Sequence, residues 1–172
     1  MFLGMAEVSG LVYRIPGASW CLELPEEAVA RLMAQAQRTW FSSDLVGQLY
    51  SADPGAVCVR VDAVTKLPAK ATNYTAVRLN LPAVDKERAN LFAQGLHCLG
   101  FWHSHPEDVP HPSPEDIAMA ADHARAGKTS FAGIVFVIVG RAQPPQGLGV
   151  WVHDGTTLWK TAPENSVEPP TT

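Results

Sequence analysis

The chain has 172 residues, about one domain at roughly 150 residues each, and its 47% hydrophobic and 17% charged residues are a globular rather than a disordered composition. Thirteen basic against seventeen acidic residues give a net charge of −4, which argues against a nucleic-acid surface, because phosphate binding needs a basic patch. No run of about 18 apolar residues is present, which excludes a transmembrane helix. The opening Met1-Phe2-Leu3-Gly4 does not read as a secretory signal. Cys21, Cys58 and Cys98 are widely spaced with no CxxC pair. They read as small buried residues of a cytoplasmic, reducing setting rather than as a disulfide framework or a thiolate zinc site.

No internal repeat is present. In chain order, residues 8–15 alternate enough for a strand. Pro25-Glu26-Glu27 then opens a helix with Ala28, Val29, Leu32, Met33 and Ala36 on one face, expected to stop near Thr39. Residues 44–50 read as a strand, Asp53-Pro54-Gly55 as a turn, and residues 57–64 as a further alternating strand. Another strand is expected over 74–81. Pro82 then breaks the chain, and residues 84–94 form a short polar helix closed by Gly95. Residues 96–103 read as an apolar strand, and residues 131–139, almost wholly apolar and β-branched, as a central buried one. Residues 144–147 are a loop. The segments 150–153 and 157–160 flank Asp154-Gly155, a hairpin signal. The proline-containing stretch 162–172 has little to bury and is expected to be a disordered tail after a single domain over 1–161. Strands and helices mix without strict alternation, so the class is α/β or α+β with a mixed sheet.

Chemistry concentrates in residues 103–116. His103 and His105 are two apart, and in a strand such residues face the same way, so both imidazoles can reach one point. Pro106 ends that strand. Then Ser113-Pro114-Glu115-Asp116 precedes the apolar run from Ile117, a helix start with Ser113 at the cap and Asp116 in the first turn. Two neutral imidazoles and a carboxylate are good Zn2+ ligands, and three protein ligands leave a fourth position for water. Ser113 is placed to donate to an oxyanion, although Ser-x-x-Asp is also the signature of an ordinary capped helix.

His103-x-His105-Pro106 followed after six residues by Ser113-x-x-Asp116 resembles the JAMM motif of the JAB/MPN metalloproteases, and Gly100-x-Trp102-His103-Ser104-His105-Pro106 looks like the bacterial JAB branch. The likeness runs in element order over residues 8–160. It implies an MPN/JAB-like mixed β-sheet flanked by helices, with a cytidine-deaminase-like architecture. It also implies zinc on His103, His105 and Asp116, with Ser113 supporting the oxyanion. The implied substrate is an isopeptide or peptide bond at the C-terminus of a ubiquitin-like protein or its conjugate. Bacterial proteins of this look accompany activating and conjugating enzymes, often in antiphage defence. No nucleic-acid or membrane partner is implied.

The family places a glutamate upstream, in the pattern Glu-x-x-Gly-x-Leu, to accept the proton of the attacking water; here Asp44-Leu45-Val46-Gly47-Gln48-Leu49 stands in that frame. Two readings stand. Asp44 reaches the water, directly or through a second water, with reduced efficiency; or the site holds metal and catalyses poorly. Glu7, Glu23, Glu26 and Glu27 lie before or at the first helix and are poorer candidates. His97 is an even step from His103 and so shares its face, most simply as a sheet residue. His111 sits in the loop beside the motif, His123 and His153 have no partner pattern, and Trp102 reads most simply as core packing, with bracing of the site from the opposite face of its strand as the alternative. Lys66, Lys70 and Arg78 are candidates for meeting acidic partner residues or ordinary surface charge. Two other classes compete with the protease: a non-catalytic MPN scaffold, favoured weakly by Asp44, and a metallohydrolase of small amides.

Overall fold

The computed structural model describes residues 9–36, 45–68, 81–127 and 132–164. In chain order the elements are β1 (Leu11–Arg14), β2 (Cys21–Leu24), α1 (Glu26–Met33), β3 (Val46–Ser51), β4 (Cys58–Arg60), β5 (Ala63–Val64) and α2 (Leu81–Phe92). Then come β6 (His97–Ser104), α3 (Pro114–Ala126), β7 (Ile134–Val139), β8 (Leu148–His153), β9 (Leu158–Lys160) and β10 (Ala162–Pro163). A four-stranded sheet runs β10-β1-β2-β4 and a six-stranded sheet runs β5-β3-β6-β7-β8-β9. Each is mixed: β2 pairs parallel with β4, and β6 parallel with β7, while the other pairs are antiparallel.

The largest core lies between the two sheets and α1. Leu22, Leu24 and Val59 of the smaller sheet meet Leu49, Trp102, Val137 and Val150 of the larger, with Val29 and Leu32 of α1 completing it. The opposite face of the larger sheet is covered by helices. Val84 of α2 packs with Val46, Leu67 and Phe101, and Ala120 of α3 with Phe136, Ile138 and Trp151. The apolar run of β7 follows from this: Val135, Val137 and Val139 face the inter-sheet core while Phe136 and Ile138 face α3, so no position is left for a polar residue.

Several expectations are corrected. The run 57–64 is split: β4 joins the smaller sheet, the chain crosses over at Val61 and Asp62, and β5 joins the larger. Pro82 does not break the chain but sits in the first turn of α2, where its missing N–H is not needed. The first helix ends at Met33 rather than near Thr39. The expected strand over 74–81 lies outside the described residues apart from Leu81, which begins α2. The tail expected from residue 162 starts as a paired strand: Ala162 and Pro163 align with Arg14 and Tyr13, Glu164 donates its N–H to the Val12 carbonyl, and its carboxylate meets Arg14. Residues 165–172 lie outside the described residues.

The cysteines are corrected as well. Cys21 and Cys58 are in register on the parallel pair β2–β4, with Cα atoms 4.4 Å apart, and form a disulfide; Cys98 is the free one. Cysteine usage therefore no longer argues for a reducing setting. No helix among the described residues is long and apolar enough to cross a membrane.

Candidate metal centre

β6 carries the two histidines to its C-terminal end. Its parallel ladder with β7 continues past Ser104, because the His105 N–H donates to the Val139 carbonyl at 2.9 Å. Extended geometry is thus kept through both positions, and His103 and His105 stay on one face. The rings lie 4.7 Å apart and their Nε2 atoms 2.9 Å apart. His103 is fully buried, and its Nδ1 has no hydrogen-bond partner among the described residues, so Nε2 is the nitrogen turned to the cluster.

Asp116 arrives from the first turn of α3. Ser113 caps that helix, its Oγ accepting the Asp116 N–H at 3.1 Å while Asp116 Oδ2 accepts the Ser113 N–H at 2.8 Å. This reciprocal box fixes the carboxylate. Its Oδ1 lies 3.2 Å from His103 Nε2 and its Oδ2 3.4 Å from His105 Nε2. Burial pushes the Asp116 carboxyl up, but hydrogen bonds to His103 and His105, the charge of His103 and the Ser113 N–H outweigh it and hold the acid well below the usual carboxylate range. With side-chain exposures of 1% for His103 and 15% for His105, the cluster opens on the His105 side.

The donor set fits a metal. Two imidazole nitrogens and a carboxylate oxygen fall within 4.8 Å of one another, and tetrahedral zinc with bonds of about 2.0–2.1 Å places its ligand atoms roughly 3.3 Å apart. The Ser113 N–H supplies the outer contact that orients a ligating carboxylate.

Asp44 lies outside the described residues, but its neighbour Leu45 is tied to β6, the strand that carries the two histidines. The Leu45 N–H donates to Ser104 Oγ and the Ser104 N–H to the Leu45 carbonyl, both at 3.0 Å. Val46 then stands in register with His103. Ser104, buried between the two histidines, was not singled out in the sequence; its position as the residue between the ligands is the signal that could have found it. Trp102 packs as core: it is buried between the sheets and its Nε1 donates to the Thr65 carbonyl at 2.6 Å, passing Gly47, where a Cβ would come within 2.3 Å of that nitrogen.

The remaining candidates lie elsewhere. A bulge at Leu99 and Gly100 puts Cys98, not His97, in register with Tyr50 and reverses the parity of the strand. His97 therefore does not share the ligand face and packs edge-on against Phe92. Gly100, at φ 151°, is required there, since a Cβ would meet the Val135 carbonyl oxygen at 1.7 Å. His111 is exposed in the loop beside Glu107, His123 packs on Phe101, and His153 accepts the Gly155 N–H. Glu23 pairs with Arg60 on the smaller sheet, and Glu26 and Glu27 are exposed at the start of α1. Lys66 is exposed; Glu7, Lys70 and Arg78 lie outside the described residues.

A family model described as prokaryotic homologues of the JAB domain matches residues 17–153. No curated protein matches the chain. Among solved structures, protein DSY2949 from Desulfitobacterium hafniense superposes with a TM-score of 0.59 at 18% identity, over 82% of this chain and 88% of that one. A protein from Salinibacter ruber gives a TM-score of 0.49 at 23% identity, over 86% of this chain and 91% of that one. At these identities the likeness bears on the fold alone, and the Desulfitobacterium protein carries it.

Proposed function

Because the chain belongs to the prokaryotic homologues of the JAB domain, we propose that it is a zinc-dependent peptidase cleaving at the C-terminus of a ubiquitin-like protein, in deconjugation or maturation. The observation that carries this reading is the convergence of His103, His105 and Asp116 at the joint between β6 and α3. Zinc in such a three-ligand site polarises a carbonyl and activates water near neutral pH.

The chain's own residues do the rest. The cap at Ser113 holds Asp116 in place before metal arrives, so the ligands are preorganised. The Ser113 hydroxyl accepts from the Asp116 N–H and keeps its own proton, and a hydroxyl can accept and donate together. That proton is the donor for the developing oxyanion. Asp44 is the proton acceptor in this reading, and the paired hydrogen bonds between Leu45 and Ser104 fix the chain next to it. The partners that belong to this function are the modifier or its conjugate, and the activating and conjugating enzymes of a bacterial cytoplasmic defence system.

The test is cleavage of a ubiquitin-like protein bearing a C-terminal extension, with zinc and with chelator, read by intact mass. Chelator-sensitive cleavage after the modifier's last residue is expected. Absence of cleavage by protein that carries one zinc per chain favours the second reading, a partner-binding scaffold, for which the observation is Asp44 in place of the family's glutamate.

A further inference from the structure

The end of β6 opposite His103 opens on a cleft that the metal centre does not use. His97, Cys98 and Leu99 line a cavity of about 1030 Å³, with Trp20, Phe92 and Trp159 around it. Small-molecule sites run to roughly 300–1,000 Å³ and are mainly apolar with a few placed polar groups. Phe92 and Trp159 are 66% and 44% exposed, an unusual loss of apolar burial for two aromatic side chains on one rim. A smaller recess of about 190 Å³ adjoins the cleft, sharing Arg88, Cys98, Leu99 and Gly133 with it and reaching His123.

Arg88 is the charge at the junction. Its Nε donates to Gln48 Oε1 at 2.7 Å and its guanidinium lies 5.2 Å from the centre of the Phe101 ring. The neighbouring acid makes no ion pair with it: Glu87 Oε1 accepts from Gln48 Nε2, the Tyr50 hydroxyl and the Thr65 hydroxyl instead, although its charge opposes that of Arg88 at Cys98. Among the described residues no carboxylate forms an ion pair with Arg88. Asp154, at the rim, has its oxygens engaged by the N–H groups of Thr156, Thr157 and Trp159. After burial, Arg88 is the next cause lowering His123, and it opposes the burial that raises the Cys98 thiol.

We infer that this cleft binds a monocarboxylate with an alkyl or aryl body, the body among Trp20, Phe92 and Trp159 and the carboxylate on Arg88. A guanidinium offers N–H pairs that match a carboxylate, in a wall of low polarity where such a charge-assisted bond is strong. The apolar body supplies the burial that the exposed aromatic rim lacks.

Decanoate and 1-decanol, titrated below the micellar range of decanoate, separate the two contributions; intrinsic tryptophan fluorescence and calorimetry read the binding. Decanoate is expected to bind about tenfold more tightly than the alcohol, the worth of one charge-assisted hydrogen-bond pair. Arg88→Met brings decanoate down to the level of decanol. Phe92→Ala, a change at an exposed side chain, weakens both probes, and zinc content is unchanged in either variant. Equal affinity for the two probes, an unaltered decanoate affinity in Arg88→Met, or the absence of saturable binding overturns the inference. Should Arg88→Met fail to fold, decanoate affinity unchanged in Phe92→Ala overturns it alone.

Discussion

Asp116 does two jobs that a pair of substitutions separates. Its Oδ2 closes the helix cap by accepting the Ser113 N–H, and the same carboxylate faces both imidazoles. Asn at this position keeps an oxygen for the Ser113 N–H and loses the charge; Ala loses both. A hydrogen bond of this kind contributes about 1 kcal/mol or somewhat more, and in a domain of this size 1 kcal/mol moves Tm by about 2–4 °C. Metal-free Asp116→Ala is therefore expected to melt at least about 2–4 °C below metal-free Asp116→Asn, and Asp116→Asn itself below wild type, because it keeps the cap but loses the charged carboxylate's contacts with His103 and His105. With free zinc at about 100 times Kd, ligation of the native state adds roughly 2.7 kcal/mol, or about 5–11 °C. Wild type is expected to show that rise and both variants to lack it. Scanning calorimetry with chelator and with zinc, alongside metal content per chain, reads both effects. An Asp116→Asn protein that still carries one zinc and still gains stability from it would refute the assignment and leave Asp116 a helix cap only.

Ser113→Ala should keep its zinc while turnover falls by about 10²–10³, the usual loss of an oxyanion donor; unchanged turnover removes its catalytic role. Asp44→Glu should raise turnover by up to the roughly 10²–10⁴ that a well-placed general base supplies, and a zinc-loaded variant with no gain refutes the alignment of Asp44 with that position. Removing the Cys21–Cys58 disulfide, which spans 37 residues, is expected to lower stability by about 4 kcal/mol on the loop-entropy relation. Denatured, unreduced wild type should show one titratable thiol, and three would contradict the bond. Burial, then Arg88, lowers the His123 pKa, whereas the unfolded residue titrates near 6.5. Below that value the unfolded chain takes up a proton that the native state refuses, so stability falls as pH drops through about 6.5 and levels once the folded group also titrates. Metal-free His123→Leu should show a shallower fall over that window, measured by urea unfolding at a series of pH values.

What was legible in the sequence is what local geometry dictates. The convergence of His103 and His105 follows from strand alternation, Asp116 from its place at the start of a helix, and β7 from a run with no polar residue. What was not legible depends on long-range pairing. β2 is only four residues, Cys-Leu-Glu-Leu, three of them buried, too short for alternation to stand out. The parity of His97 was lost at a bulge that Gly100 permits, and a bulge is invisible to a count of even and odd positions. The disulfide is set by parallel pairing of β2 with β4, and a gap of 37 residues carries no hint of that register. The cleft around Arg88 needed strands, α2 and the β8–β9 turn in place before its lining could be seen.

The contact of Trp102 with Thr65 couples positions far apart in the chain. The indole reaches the Thr65 carbonyl only because Gly47 presents no Cβ, and any side chain at 47 would also come within 1.8 Å of that carbonyl. Across related sequences, then, glycine is bound to persist at 47: a smaller residue at 102 would free the space of the indole but not that of the backbone carbonyl at 65, which still excludes a Cβ. Invariance at 47, rather than pairwise covariation of 47 with 102, is the evolutionary trace that this contact leaves behind.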